Sequence, residues 1–185
     1  MKKALVCLIV VLLAGCSAPA NRGRVTRTAW KESSLLAAPS HPLSSFGNFE
    51  LKPVELSPDI SSRQEKVKVA KQFEGKLRER VLPLLEQWKA QENSPRTGGT
   101  LLIQPRLTVL RIVGAGVRFV AGQYSGQSTL EMDLELTDAA TGAVLAKPHI
   151  MRTAGASMSL RSHDMAQLDY VVEIAYQYLV DNYRK

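Results

Sequence analysis

The stretch Ser128-Thr-Leu-Glu-Met-Asp-Leu-Glu-Leu-Thr-Asp138 alternates apolar and polar side chains more regularly than any other part of the chain. Its apolar positions are Leu130, Met132, Leu134 and Leu136, and the acidic positions between them are Glu131, Asp133 and Glu135. Successive side chains of a β-strand point to opposite faces of the sheet. The stretch therefore predicts a strand with one face in a hydrophobic core and the other in water.

The residues after this strand predict a hairpin, a last strand and a final helix. Ala139-Ala-Thr-Gly142 is typical of a turn in which the glycine supplies a positive φ. Val144 to Thr153 returns as a strand, and Pro148 is typical of an edge position. A helix from Ser162 to about Tyr183 follows. Its predicted buried stripe is Leu168, Val171, Val172, Ala175 and Leu179.

The residues before it predict two more strands. Thr100 to Val113 alternates like a strand, and its phase shifts near Leu110, where a β-bulge is expected. A glycine-rich connection from Gly114 to Gly126 joins it to the regular strand. Phe49 to Leu56 predicts the first strand, and Pro53 predicts that this strand lies at an edge or is bulged.

A long helix is predicted between the first two strands. Ser61 to Gln91 carries apolar residues at helical spacing, with charged residues at many of the other positions. Ser62 and Glu65 form a capping-box pattern at its start. Pro83 predicts a kink or a division of the helix near residues 80–82.

These elements predict an α/β (α+β) fold in the order β-α-β-β-β-α. The first strand, helix and second strand form a crossover, so those two strands are expected to pair in parallel. The last three strands are expected to form an antiparallel meander. Because Ser128–Asp138 is polar on one face, both helices are expected on the other. The prediction is a two-layer sandwich with a four-stranded mixed sheet.

The amino terminus has the form of a secretory signal, with Lys2 and Lys3 followed by an apolar run from Ala4 to Leu13. Leu13-Ala-Gly-Cys16 resembles the lipobox of bacterial lipoproteins. That resemblance implies that residues 1–15 are removed as the signal peptide and that Cys16 carries lipid, including palmitate. Since Cys7 lies in the signal, no second cysteine remains for a disulfide.

The composition after Cys16 predicts a flexible tether over residues 16–45 and one domain over residues 46–185, because the first of these stretches has no sustained periodicity. The apolar run of the signal is too short to span a bilayer, which takes ~20 residues, so the lipid is the expected membrane attachment. By resemblance to enterobacterial lipoproteins, Ser17 favours the outer membrane, with the domain facing the periplasm.

The net charge of +7 includes Lys2 and Lys3, and part of the remaining excess follows the lipid site at Arg22, Arg24, Arg27 and Lys31. These residues are expected either to be solvated in the tether or to attract anionic lipid headgroups weakly, by about 1 kcal/mol each. Export makes nucleic acid an unexpected partner.

A second resemblance covers residues 46–183. The glycines Gly122 and Gly126 after Val117-Arg-Phe119, followed by the regular strand and its Asp138-Ala-Ala-Thr-Gly142 turn, resemble uncharacterised families of bacterial envelope lipoproteins with a small α/β domain. The resemblance implies location and fold but no mechanism. Similar small sandwiches occur in accessory lipoproteins of envelope transport systems, which is an analogy of fold alone.

Motifs for catalysis or cofactor binding are incomplete in this sequence. Gly114 and Gly116 begin a dinucleotide-binding pattern that fails at Phe119, and no phosphate loop of the Gly-Lys-Ser/Thr type occurs. A nucleophile elbow needs glycine two residues before and after the serine; Ser125 has Gln123 before it, and Ser157 has Ser159 after it. We therefore expect no enzyme activity, no catalytic residue and no cofactor.

Metal binding is also not expected, because His41, His149 and His163 are far apart in sequence. The acidic row Glu131, Asp133 and Glu135 has a spacing of about 6–7 Å by strand rise, within the range of inverting glycosidases. Acids on a solvated sheet face more commonly pair with neighbouring cations, and the expected partners are Arg106 and Lys147.

The sequence thus predicts a lipid-anchored, non-enzymatic module that binds another envelope protein or assembles with itself. Edge strands provide backbone groups for such pairing, although Pro53 and Pro148 limit it. The alternative is a lipid or small-molecule binding accessory protein of an envelope transport system, with a pocket at the second face of the sheet or at the glycine connection.

Overall fold

The computed structural model describes residues 29, 31–91, 99–111, 128–154 and 162–184. In it the chain folds into a mixed sheet and two long helices. The strands are β1 (Asn48–Leu51), β2 (Glu55–Leu56), β3 (Thr100–Arg111), β4 (Ser128–Asp138), β5 (Val144–Ala146) and β6 (His149–Ala154). The helices are α1 (Pro58–Ser61), α2 (Gln64–Ala90) and α3 (Ser162–Asp181), and a 3-10 turn at Leu43–Ser45 precedes β1. The predicted two-layer α/β sandwich is confirmed.

The sheet has the predicted mixed topology, with β3 and β4 antiparallel at its centre. On one side β1 and β2 both pair in parallel with β3, as the crossover requires. On the other side β5 and β6 both pair antiparallel with β4. The expected four strands become six because each edge position is occupied by two short strands in succession.

Prolines explain why the edge formed by β1 and β2 is divided. Leu134 donates its backbone N–H to the Pro148 carbonyl at 3.0 Å, away from β3. Opposed residues of an antiparallel pair either exchange both backbone hydrogen bonds or exchange none. Leu134 and Pro105 are opposed and exchange none, so the Pro105 nitrogen points towards the edge formed by β1 and β2. That nitrogen carries no hydrogen, and the break between β1 and β2, which contains Pro53, lies at the same level.

The side chain of Gln104 closes the gap between β1 and β2. Its Nε2 donates to the carbonyl oxygen of Pro53 at 2.8 Å and to that of Pro105 at 3.1 Å. On either side of the gap, backbone bonds of 3.0 Å from Lys52 to Ile103 and from Ser57 to Leu107 continue the ladder. A side-chain amide thus supplies the donor that the proline lacks.

The hydrophobic core lies between the helices and one face of the sheet. The predicted apolar positions of β4 are all buried, and so is the predicted stripe of α3 from Leu168 to Leu179. On β3 the register shifts between Leu107 and Val109, which confirms the bulge expected near Leu110. At the end of the core Trp88 stacks on Tyr183 with ring centroids 4.2 Å apart and meets Phe49 edge-on at 5.2 Å.

The start of the long helix differs from the prediction. Ser57 precedes the separate short helix α1, whose first residue is Pro58, a favoured position for proline. The N-cap of α2 is Arg63, which makes no side-chain capping bond. Ser62 instead donates its hydroxyl to the Asp59 carbonyl at 3.3 Å, so the predicted capping box is wrong. Pro83 lies inside α2, which continues to Ala90 without division.

An ion pair joins the two long helices on the side away from the sheet. Arg80 donates from Nε and Nη2 to the two carboxylate oxygens of Glu173, both at 2.9 Å, and its guanidinium lies 3.5 Å from the centre of the Tyr176 ring. The hydrogen bonds to Glu173 raise the pKa of Arg80. This two-point contact joins α2 to α3, and a second ion pair, of Lys76 with Asp169, joins the same two helices.

Residues 31–45, expected above in the tether, pack against the domain. Tyr178 donates its buried hydroxyl to the Ala37 carbonyl at 2.8 Å, and Ser33 donates to Asp181 at 2.9 Å. Leu43 is fully buried, and Ser40 donates its backbone N–H to Leu145 of β5 at 3.0 Å. Packed structure therefore begins well before the expected domain start at residue 46. The segment is held by the buried side chain of Leu43 and by hydrogen bonds to α3 and β5.

The hairpin after β4 has the predicted chemistry. Gly142 has a φ of 70°, and Asp138 accepts bonds of 2.9 Å from the backbone N–H of Ala140 and from the Thr141 hydroxyl. Both bonds lower the pKa of Asp138, and the bond from Ala140 has the larger effect on it. The turn connects β4 to β5, whose pairing shifts register between Leu136 and Thr137.

Candidate functional site

The face of the sheet opposite the helices, here named the open face, carries mostly polar residues. The polar side chains on this face include Gln104, Arg106 and Arg111 of β3, Thr129, Glu131, Asp133 and Glu135 of β4, and His149 and Thr153 of β6. The apolar Leu102, Val109 and Met151 lie among them. Among the described residues, no helix or strand packs on this face. Within the described part of the chain, this face is therefore left open to solvent.

Cross-strand pairing arranges the open face in rows. One row runs Glu55, Arg106, Asp133 and His149 across four strands. The next row places Val109 and Met151 on either side of Glu131. Val109 and Met151 are 36% and 56% exposed, so this row has two apolar side chains in water beside a carboxylate.

Each acid of the row on β4 has a basic neighbour. Lys147 lies 3.1 Å from Glu135, as predicted. His149 lies 2.7 Å from Asp133 through Nδ1 and 3.5 Å from Glu131 through Nε2. Arg106, although opposite Asp133 in register, pairs instead with Glu55 of the edge strand at 2.7 Å. Every acid of this row thus lies beside a basic side chain of the neighbouring edge.

The histidines do not form a metal centre in the described part of the chain. His41 is exposed and shares a bond of 3.0 Å with the Ser40 hydroxyl, while His149 is held by the two acids of β4. His163 lies in the first turn of α3. Across the described ranges no group of three histidine, cysteine or acidic residues is arranged to hold a metal ion.

Several residues singled out from the sequence lie outside the described residues. These are the lipidation site Cys16, the glycines Gly114 and Gly116, and the serines Ser125 and Ser157. Their expected roles or absence of roles stay predictions.

The two sheet edges differ in how much backbone they leave for a partner. At β5 the backbone N–H of Ser40 already occupies the Leu145 carbonyl. At β6 the described residues supply pairing from β4 alone, and Met151 and Thr153 are exposed. The β6 edge, next to the row of Val109, Glu131 and Met151, is therefore the better candidate for strand addition.

A groove of about 580 Å³ lies at the end of β3, between that strand and the start of α2. It is lined by Asp59, Arg63, Glu65, Lys66, Val69, Val109, Leu110 and Arg111. Leu110 is buried, and Val69 is half-buried against the core. The bulge in β3 places Val109 and Arg111 on the open-face side of the groove, so the groove is continuous with that face.

The charges of this groove are only partly paired. Asp59 accepts a hydrogen bond from Lys66 and lies 3.1 Å from Arg63. The bond from Lys66, assisted by the charges of both cations, lowers the pKa of Asp59. Arg111 and Glu65 are exposed and have no ion-pair partner among the described residues. Three cations and two carboxylates thus surround an apolar floor.

The groove was not predictable from sequence motifs. Its residues come from α1, the start of α2 and the end of β3. At least forty positions of the chain separate the helical residues from those of β3. The sequence carried one signal for it, the phase shift near Leu110. After this shift Leu110 lies on the covered face of β3, and Val109 and Arg111 lie on the open face.

The described helices include none that is both long enough and apolar enough to cross a membrane. No protein-family model matches the chain, and no curated protein matches it. Among solved structures, a variant of a PelC dodecamer from Paraburkholderia phytofirmans is 16% identical, covers 75% of this chain and 94% of that chain, and has a TM-score of 0.43. Another PelC dodecamer structure from that organism is 15% identical over the same shares, with a TM-score of 0.39. At TM-scores this low the likeness carries no conclusion for this chain.

Proposed function

We propose that this chain is a lipid-anchored envelope protein whose domain acts as a non-enzymatic binding or assembly module. In this proposal Cys16 carries the lipid, the anchor lies in the outer membrane and the domain faces the periplasm. The partner is another envelope protein or a second copy of the chain. The assignment to uncharacterised envelope lipoproteins with a small α/β domain rests on the lipobox and the glycine-to-hairpin segment described above.

The observation that carries the binding proposal is the one-sided sheet. Its covered face is filled by two helices, whereas the open face presents charge pairs beside the exposed side chains of Val109 and Met151. Protein interfaces typically combine a few apolar anchors with a polar rim. The β6 edge adjoins these residues and adds backbone groups that a partner strand can pair with.

Site-specific photo-crosslinking in intact cells tests this proposal. A photoreactive amino acid at Met151 is expected to yield a crosslinked species that can be recovered and identified. The matched control is the same amino acid at Gln72, an exposed residue of α2 on the helix side. Free monomer alone from both positions, at several expression levels, would contradict a binding or assembly role.

The anchor has its own test. Cys16→Ser replaces the thiol with a hydroxyl, which is a far weaker nucleophile for the first lipid transfer. Palmitate labelling in cells is therefore expected to disappear. Cys7→Ser is the matched control, because this cysteine lies in the predicted signal and its loss should leave labelling unchanged. Labelling that persists in Cys16→Ser would contradict the lipobox interpretation and with it the proposed location.

The second candidate function is a lipid or small-molecule binding module serving transport in the envelope. The groove at the end of β3 supports it, because ~300–1,000 Å³ is the usual size of a small-molecule site and this groove measures about 580 Å³. Native mass spectrometry of gently purified protein tests it. A retained ligand in repeated preparations is expected, and a ligand-free protein in all of them would contradict this function.

A further inference from the structure

We propose that the groove between α2 and the end of β3 binds a single-chain anionic amphiphile, with the head at Arg111 and the chain on Val69 and Val109. This proposal rests on the second candidate function and adds the chemical class of the ligand. The groove is lined by residues that the structure describes, and its about 580 Å³ accommodate a headgroup and part of one acyl chain.

The floor of the groove is suited to a hydrocarbon chain. Leu110 closes it from the core side, Val69 lies half-buried on α2 and Val109 remains 36% exposed on β3. A chain laid across Val69 and Val109 removes apolar surface of both partners from water, which is favourable in proportion to the area covered. A small polar solute would leave these side chains without a matching surface.

The charges at the mouth favour an anion over a cation. Lys66 and Arg63 share the single carboxylate of Asp59, so this trio keeps one excess positive charge. Arg111 is exposed, and the described residues hold no carboxylate at ion-pair distance from it. Its guanidinium presents a planar pair of donors that fits a carboxylate or phosphate oxygen pair. Glu65, on the same rim, repels a negative head and therefore favours a compact headgroup that lies at Arg111.

Calorimetric titration with simple amphiphiles tests this assignment. The protein used in the titration begins at Ser17, so it contains every residue that the structure describes. The probes are dodecanoate, dodecyl phosphate and dodecyltrimethylammonium below their micelle concentrations, together with inorganic phosphate. One-to-one binding is expected for both anionic amphiphiles, about tenfold tighter than for the cationic one. Inorganic phosphate is expected to bind far more weakly than dodecyl phosphate, because it has no chain.

Variants separate the head from the chain. Arg111→Glu is expected to weaken both anionic probes by about tenfold or more, while the matched charge reversal Lys71→Glu, on α2 outside the groove, leaves them unchanged. Val109→Ser is expected to weaken all three chain-bearing probes by about threefold. Thermal unfolding of each variant checks that the domain stays folded, which is expected because the substituted positions are exposed.

Three results would overturn the proposal. The first is equal affinity for the anionic and cationic amphiphiles, and the second is phosphate binding as tight as that of dodecyl phosphate. The third is an effect of Arg111→Glu no larger than that of Lys71→Glu. A neutral lipid retained in native mass spectrometry, without preference for the anionic probes, would keep the ligand-binding function but reject this ligand class.

Discussion

The two faces of the sheet are built by the same strands, yet they are stabilised in different ways. The covered face of β4 carries Leu130, Met132, Leu134 and Leu136, all buried against α2 and α3. The open face of the same strand carries three acids, each held by a basic side chain of the neighbouring edge. Apolar burial is thus concentrated on one side, and exposed ion pairs on the other contribute little to stability.

This difference separates the residues available for function from those needed for folding. Substitutions on the open face change its charge pattern at little cost in stability, whereas substitutions on the covered face open cavities. The open face and the groove beside it are therefore free to carry recognition. Four substitutions test how sharply the two faces differ.

The largest effect is expected for Leu134→Ala on the covered face. Leu134 is 1% exposed in the middle of β4, so its truncation leaves a cavity between the sheet and the helices. The free energy of unfolding should fall by ~2–5 kcal/mol. Leu102→Ala is the control, since Leu102 lies half-buried on the other face of β3. Chemical denaturation showing equal losses for both would contradict the assignment of faces.

Tyr178→Phe tests whether the covered face includes the segment before β1. The variant removes the hydroxyl that donates to Ala37, so stability should fall by ~1 kcal/mol. Burial also raises the pKa of Tyr178 to about 12. Because the folded pKa exceeds the unfolded one, this residue stabilises the fold fully below pH ~10, the usual tyrosine pKa, and the effect is lost as the pH rises through the folded value.

Denaturation of wild type and Tyr178→Phe across that alkaline window provides the measurement. The stability difference between them should shrink or reverse with rising pH, because only the wild type contains this titrating hydroxyl. A difference that does not change with pH would mean that the hydroxyl is solvated and that the segment around Ala37 is not held to α3 as described.

Gln104→Ala tests the side-chain contact that bridges the gap between β1 and β2. The variant removes the donor shared by the carbonyls of Pro53 and Pro105, and stability should fall by ~0.5–1 kcal/mol. Amide hydrogen exchange of Lys52 and Ser57 is expected to accelerate, since their bonds flank the gap. Unchanged exchange at both residues would show that the edge strand does not depend on this side chain.

The sequence predicted the regular parts of the fold because their periodicity reflects burial directly. The alternation of β4, the stripe of α3 and the bulge near Leu110 all follow from which side chains need a core. Pro53 and Pro148 were correctly placed at edges, but the role of Pro105 was missed. Only the pairing of Pro105 with Leu134 shows that the Pro105 nitrogen faces the break between β1 and β2.

The remaining differences have local physical causes. Ser62 has the residue type of a cap, but Pro58 begins a helix four residues earlier and moves the start of α2 to Gln64. Residues 31–45 lack periodicity because they are held by single contacts such as Tyr178 to Ala37. The groove joins α2 to β3 across the fold, so its composition leaves no pattern within either element.

The smallest effect is expected for Asp133→Ala, the neighbour of Leu134 on the opposite face. Asp133 accepts a bond of 2.7 Å from the exposed His149, and its carboxylate is not needed to fill space in the core. Exposed pairs of this kind contribute little, so stability should change by ~0.5 kcal/mol or less. The same denaturation experiment measures Asp133→Ala, Leu134→Ala and the double variant. Since the two side chains share no partner, their effects should add within ~0.5 kcal/mol. If Asp133→Ala were the more damaging single change, the covered and open faces of β4 would be exchanged, and Met151, Val109 and Arg111 would lose their assignment to a recognition surface.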